Sequence, residues 1–526
     1  MAVNQGQSYR LAEVVASLSL ATDLGIGQPT EHALRACLLA MRLAERLGLS
    51  EQDRADLYYV ALLRSTGCTA TAHQLAAAVG DEIAFYTQFA SVNYVLPNDL
   101  FGPLVRYLGQ LQPWTRRAKT LASFVAAMPR MNPQDRITSH CEVAQQMAQR
   151  LGFDQRMGEL LFQTFERWDG RGMPRGLKGE AIDRVVRIVH LAEDATGFHR
   201  LGGVDAAVTM IRRGQGKAHD PALVAAFCQD AAVLVAGFDA PSLWEVSLDA
   251  EPTPWRRLSA ADLETAARAI ADFADLKSPY LVDHSTGVAE LAAAAAQRCG
   301  LPESDVRATR QAGLLHDLGR TAIPNNIWDK AGPLTNGEWE RVRLHPYYTE
   351  RILARASPFA TLGALASLHH ERLDGSGYHR GLPGTLQPLT ARLLAAADVY
   401  HAMTEPRPHR ARRSLDEAAS TTRAEANAGR LDPEAVDAVL AAAGHASQPT
   451  RRVWPAKLTD REVDVLRLIA RGATTRAIAQ ALVIADKTAD HHIQHIYNKI
   501  GVSTRAGATF FAMQHGLVGD DGSASK

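Results

Sequence analysis

Seven side chains between positions 284 and 398 have types that could do chemistry together: His284, the pair His316-Asp317, His345, the pair His369-His370, and Asp398. They offer imidazole nitrogen and carboxylate oxygen but no thiolate, a donor set suited to iron, manganese or zinc rather than magnesium or calcium. A carboxylate among them can bridge two ions. Taken singly, a histidine such as His284 or His345 is ordinarily a satisfied core or surface residue. The pair His316-Asp317 says more, because it sits among Leu314, Leu315 and Leu318, where an aspartate without a partner would be costly. Both would project from one helical turn into a bundle interior, a common place for metal sites.

The elements that must position these groups are helices. Apolar residues recur at three- and four-residue spacing over 33–47, 286–298 and 431–443, while strand-like alternation is scarce, so the fold class is expected to be mainly α. The chain also repeats itself. The segment beginning at Glu166, ERWDGRGMPRGLKGE, matches ERLDGSGYHRGLPGT beginning at Glu371, and His140 precedes Asp169 by the same 29 residues that separate His345 from Asp374. His32 likewise precedes Arg64 by the 32 residues between His284 and His316. Two ancient duplicates are expected, 1–255 and 256–445, parted where Pro252, Pro254 and Trp255 interrupt the helical pattern. A linker is expected at 446–456, a compact unit at 457–518 and a frayed tail at 519–526.

The whole-chain figures set bounds. With 526 residues, 46% hydrophobic, this is material for three or four folded domains. The 57 basic and 57 acidic residues cancel, so any nucleic-acid contact must come from a local patch. The five scattered cysteines indicate neither a disulfide framework nor a zinc knuckle. No secretory leader or membrane span is read, and a cytoplasmic location without membrane attachment is expected.

The C-terminal unit opens with a capping box, Thr459 and Glu462, followed by an apolar face of Val463, Leu466, Ile469 and Ala470. Ile478 and Leu482 mark a second helix, Val483 to Asp486 a turn, and Ala489, Ile493, Ile496 and Ile500 the buried face of a third. From Lys457 to Leu517 eight basic residues face five acidic ones, a local excess fitting phosphate binding. This unit resembles the LuxR-type helix-turn-helix domains, with LTDRE at 458–462 and KIGVSTR at 499–505 in place. The resemblance implies a four-helix domain that binds double-stranded DNA as a homodimer. The expected contacts are Lys487, Thr488, His491, Gln494, His495, Lys499 and Arg505.

The stretches HDLGR at 316–320, HHERLDGSGYHRGLP at 369–383 and ADVYHAMTEPRPHR at 397–410 resemble the HD-GYP branch of the HD-domain metallophosphohydrolases. Tandem HD-type bundles then make up the first two domains. The resemblance implies hydrolysis of cyclic di-GMP or a related phosphodiester, with His284, His316, Asp317, His345, His369, His370 and Asp398 as metal ligands. Asp317 and Arg320 would be catalytic, and Arg320, Arg407 and Arg410 would hold substrate phosphate. Tyr280 stands where some members carry a glutamate ligand to a third ion, so two transition-metal ions are expected, iron or manganese before zinc. His379 replaces the proline of the Gly-Tyr-Pro signature, and His401 replaces the family's aspartate. The competing readings are a transcriptional regulator whose HD domain only senses nucleotide or metal, and a phosphohydrolase acting on another nucleotide.

In the same register the first half has His32, Arg64-Ser65, His140, Thr164-Phe165 and Glu193. Four of seven ligands are gone, and an arginine stands where a cation would sit. A non-catalytic copy is expected.

Overall fold

A computed structural model describes residues 8–89, 132–444 and 454–518 except Gly516, with isolated positions between 114 and 122. The expected linker as far as Val453 and the expected tail 519–526 lie outside the described residues. The chain is built of helices, as the apolar spacing requires; the only strands among the described residues are the two-residue pieces Tyr9–Arg10 and Arg257–Leu258. It divides into two units, Arg10–Leu258 and Ser259 onward. Among the described residues no helix is long and apolar enough to cross a membrane.

The second unit begins with Ala260–Asp275, opened by a capping box of Ser259 and Asp262. His284–Arg298, Glu303–Leu315 and Leu389–Thr404 form its centre. The alanine run falls inside: Ala292, Ala293, Ala295 and Ala296 are fully buried, packed with Leu393, Leu394, Val436 and Val439. Small residues let the helices close up. A side-chain carbon on Gly313 would lie 2.6 Å from Ala289 Cα, so this glycine permits the approach of Glu303–Leu315 to His284–Arg298. That approach brings the C-terminal end of one helix, carrying His316, to the N-terminal end of the other, carrying His284.

The first unit contains His32–Arg46, Glu51–Leu63, Pro133–Arg150 and the long Arg184–Gly214, kinked at Gly202 and Gly203. It repeats the packing devices of the second. A carbon on Gly67 would lie 1.9 Å from the His140 carbonyl oxygen, and one on Gly319 would lie 2.0 Å from that of His345. The Glu166 carboxylate accepts from the backbone of Arg175, Gly176 and Leu177; that of Glu371 accepts from Arg380 and Leu382. The ion pair Arg187–Asp220 at 2.6 Å matches Arg392–Asp432 at 2.9 Å.

The C-terminal unit has four helices, Asp460–Ala470, Thr475–Leu482, Asp486–Ile500 and Arg505–Gln514, the first starting from the capping box of Thr459 and Glu462.

Candidate metal centre

Four histidines of the second half are aimed by what holds their other ring nitrogen. His316, His345 and His369 place Nδ1 at 2.6, 2.6 and 2.7 Å from the carbonyl oxygens of Gly313, Val342 and Ala366, each three residues upstream. His284 Nδ1 lies 2.9 Å from Glu405 Oε2. With Nδ1 donating, the Nε2 lone pair is free to bind, and such outer hydrogen bonds fix ligand orientation at metal sites. The four Nε2 atoms converge on Asp317. Its Oδ2 lies 3.5 Å from His284 and 3.1 Å from His316, and its Oδ1 lies 3.4 Å from His345 and 3.5 Å from His369. Asp398 completes the first group at 3.3 Å from His284, and its other oxygen is 3.7 Å from His370, which clusters with His345 and His369. Asp317 thus has one oxygen in each of two histidine groups.

The set is buried, with His284, His316, Asp317, His345 and His369 showing no exposed surface. Beyond their ion-pair contacts, His284 Nε2, His316 Nε2 and both Asp317 oxygens make no aligned hydrogen bond. Buried polar atoms in that condition are costly, and a cation among them is what this donor set fits. Burial raises both carboxyls, yet Arg320 and His316 hold Asp317 well below the usual range, and His284, His370 and His316 do the same for Asp398. Burial lowers His316, but Asp317 and Asp398 override it and lift the ring to about 9, so a cation taking up its Nε2 would displace a proton. Burial keeps His345 and His370 low, and His369 at about 4, so these three are neutral with lone pairs available.

A cleft of about 650 Å³ opens onto the set, lined by Arg320, Trp328, His370, Asp398, Arg407 and Arg410 among others. Arg320 Nε lies 2.7 Å from Asp317 Oδ2 with its guanidinium 4.5 Å from the centre of the Trp328 ring. Arg407 pairs with Glu405 at 2.8 Å and donates to the Tyr280 carbonyl. Arg410 donates to the carbonyls of Ala402, Met403, Glu405 and Ala411, so its guanidinium braces the loop that lines the cleft.

The departures from the family pattern have places of their own. Tyr280 lines the cleft. His379 sits 3.5 Å from Glu350, and the Tyr378–His379 peptide is cis, as is Met173–Pro174 at the equivalent place in the first half. His401 packs on Gly287 and lies 3.3 Å from Glu405. Glu405 is therefore shared by His284, His401 and Arg407, a role the sequence reading missed. Its signal was there: Glu405 follows Asp398 by seven residues, two helical turns. Asp275 was also missed; it accepts from Ser285 N at 2.8 Å and Ser285 Oγ at 2.7 Å, satisfying the start of the helix that begins with His284.

In the first half Arg64 Nη1 lies 3.3 Å from Glu193 Oε2, and His32 Nε2 lies 3.0 Å from Glu193 Oε1. Burial would raise the Glu193 carboxyl, but Arg64 and His32 hold it at about 2. His140 Nε2 is 2.9 Å from Thr71 Oγ1.

On the helix Asp486–Ile500, Ala489, Ile493 and Ile496 are buried, while Lys487, Thr488, His491, Gln494 and His495 are exposed. The structure does not bring the other two expected contacts to that face in a free state. Lys499 Nζ lies 2.6 Å from Glu462 Oε2 and 3.2 Å from the Lys457 carbonyl, and Arg505 donates to the Ala473 carbonyl. Both tie the helices to one another.

The HD-domain family matches residues 124–223 and 268–435, and the family of bacterial regulatory proteins of luxR type matches 456–512. The 3'3'-cGAMP-specific phosphodiesterase 3 of Vibrio cholerae serotype O1 is 32% identical over 415 residues, 78% of this chain and 90% of that protein. The cyclic di-GMP phosphodiesterase response regulator RpfG of Xanthomonas campestris pv. campestris is 39% identical over 181 residues, 34% of this chain and 46% of that one. The crystal structure of a cyclic GMP-AMP specific phosphodiesterase of V. cholerae, V-cGAP3, superposes with a TM-score of 0.58 at 29% identity, over 84% of this chain and 99% of that one.

Proposed function

The chain belongs to the HD-domain metal-dependent phosphohydrolases of the HD-GYP kind and carries a LuxR-family domain, and from that premise we propose that its second half hydrolyses 3'3'-cGAMP at a two-ion centre. The observation that carries the reading is the convergence of six side chains on either side of Asp317. His284, His316 and Asp398 would hold one ion and His345, His369 and His370 the other, with Asp317 shared. Iron or manganese suits imidazole and carboxylate together, with zinc as the alternative. When bound, such a pair supplies charge neutralisation for the phosphodiester and a water acidic enough to attack at neutral pH. The chain's own residues do the rest. Arg320, held against Trp328, and Arg407, held by Glu405, offer planar donors to phosphate oxygens. Arg410, expected as a third such donor, is proposed instead to position the loop bearing Arg407.

Within the expected class, cyclic di-GMP or a related phosphodiester, the choice of 3'3'-cGAMP is supported by similarity that runs along 90% of the cGAMP-specific relative but 46% of the cyclic di-GMP one. Anaerobically purified full chain assayed on both dinucleotides tests this. A kcat/KM at least about tenfold higher on 3'3'-cGAMP is expected. The reverse order would overturn the substrate, and turnover of neither by metal-replete protein would overturn the enzyme reading.

The same proposal gives the C-terminal unit double-stranded DNA, bound as a homodimer, with Lys487 and Thr488 on phosphates and His491, Gln494 and His495 at base edges. Support comes from their shared exposed face. Fluorescence anisotropy against genomic fragments at two salt concentrations decides it: Lys487→Ala should lower the salt slope by about one and Gln494→Ala should cost roughly 1–3 kcal/mol at one base position. A slope near zero would sink the DNA reading.

A further inference from the structure

The first half carries a second cluster of donors, none of them at a position of the ligand set. His190 and Asp194 lie one turn apart on Arg184–Gly214, and His219 stands just before Pro221–Leu234. The Asp194 Oδ2 atom lies 3.3 Å from His219 Nε2 and 3.7 Å from His190 Nε2, and one atom from each residue falls within 4.8 Å of the others. The two rings meet edge to face at 5.1 Å.

The duplicate shows what this place holds when no such cluster is present. The pairs Arg187–Asp220 and Arg392–Asp432 set one register; the bonds from Trp168 N to the Ala218 carbonyl and from Leu373 N to the Arg430 carbonyl set another. Both make His190, Asp194 and His219 the counterparts of Ala395, Val399 and Leu431. Those three belong to, or pack against, the apolar core of the second half. Three core positions have thus become two imidazoles and a carboxylate that face one another. Losing a catalytic set does not demand that, since none of the three replaces a ligand.

We propose that His190, Asp194 and His219 bind a zinc ion that staples the helix Arg184–Gly214 to the start of the helix Pro221–Leu234. Two imidazoles and one carboxylate form a zinc donor set, and ligands at about 2.0–2.1 Å in a tetrahedron stand about 3.3–3.4 Å from each other, close to the 3.3 and 3.7 Å between Asp194 and the two rings. The i, i+4 spacing of His190 and Asp194 puts both on one helix face. His219 is buried at 4% exposure, while the Asp194 side chain keeps 38%, which leaves room for water as a fourth ligand. The groups facing the site fit this. Arg64 is paired with Glu193 and Arg167 with Asp169, so neither cation is unbalanced beside it. Burial lowers His190 to about 4, and against burial the hydrogen bond with His219 draws Asp194 down to about 2.

The test uses the full chain with His316→Ala and Asp317→Ala in the second half, so that the catalytic centre contributes less to the count. Purified protein is stripped, reloaded with Zn²⁺ or Co²⁺ and compared with the same chain carrying His190→Ala, Asp194→Val and His219→Leu, the residues of the duplicate. The proposal expects one equivalent of zinc lost in the triple variant. It also expects the strong visible bands of four-coordinate Co²⁺ to be lost and a zinc-dependent rise in melting temperature of about 5–10 °C to disappear. If the triple variant fails to fold, Asp194→Asn alone should weaken zinc at least about tenfold with the far-ultraviolet circular dichroism unchanged. Equal zinc content and equal thermal response in the folded variants would overturn the site.

Discussion

The two halves share a scaffold and differ in what neutralises its centre. In the second half Asp317 and Asp398 face five imidazoles, two of whose buried nitrogens, His284 Nε2 and His316 Nε2, meet carboxylates without forming a hydrogen bond. In the first, the guanidinium of Arg64 occupies the position of His316 and closes an ion pair with Glu193, the counterpart of Asp398. Glycine packing, the loop gathered by Glu166 or Glu371, and the Arg–Asp pair survive in both. The comparison teaches that one scaffold can balance a buried carboxylate in two ways, with an arginine from within the chain facing Glu193 in the first half and with imidazoles facing Asp398 in the second.

The largest expected effect breaks the comparison on the catalytic side. His316→Ala with Asp317→Ala should lower turnover roughly 10⁴-fold, about 5 kcal/mol of transition-state stabilisation, with helical circular dichroism retained. The matching change at Arg64 should spare turnover measured below the melting transition, and an equal loss there would place chemistry in the first half.

Arg64→Met should instead cost stability. It leaves the Glu193 carboxylate, whose side chain is 19% exposed, with His32 as its remaining partner. Removing one member of a buried pair costs about 3–5 kcal/mol, and adding Glu193→Gln should recover most of it. Denaturant melts of the single and double variants check this; an unchanged midpoint for Arg64→Met would mean that the arginine is not the stand-in for a cation.

Glu405→Gln sharpens the contrast more gently. Its carboxylate fixes the ring of His284 and also meets His401 and Arg407. Metal affinity should fall about 10–100-fold, or about 1.4–2.7 kcal/mol, measured by competition with a chelator. Unaltered affinity would show that His284 is oriented by packing alone.

What could be read from the sequence follows the same division. The clustered histidines and aspartates were readable because side-chain type and the likeness of their motifs to a known family carry them, and the helices because apolar periodicity does. The groups that aim the rings were not, since the carbonyls of Gly313, Val342 and Ala366 exist at every position and only the fold selects them. Asp283 has φ of +69° just before His284, and Glu31 has the same value before His32, left-handed backbone that nothing in either residue's type announces. Lys499 read as a phosphate contact from its place on an exposed helix, but its partner, the capping residue Glu462, lies 37 positions away. The His190, Asp194 and His219 cluster escaped notice because the repeat offset changes from 205 to 212 residues between its members.

The smallest expected effect concerns one of the two histidine pairs that both halves keep. His345 faces the Asp317 carboxylate, whereas its counterpart His140 faces the hydroxyl of Thr71 and the ring of Phe165, with Arg136 as the charged group acting on it. Burial, aided by Arg136, depresses His140 to about 3, against 6.5 in the unfolded chain. The unfolded state therefore binds the proton first as acid is added. The contribution of His140 is fully present above pH 6.5 and is lost progressively as the pH falls toward 3. Between pH 7 and pH 6 the first half should lose about 0.7 kcal/mol on account of this residue. His140→Gln, which can keep a hydrogen bond to Thr71, should remove that part of the slope while leaving the rest of the acid response in place. Denaturant midpoints for both proteins at the two pH values decide it, and parallel slopes would mean that His140 is protonated in the folded chain or already neutral in the unfolded one.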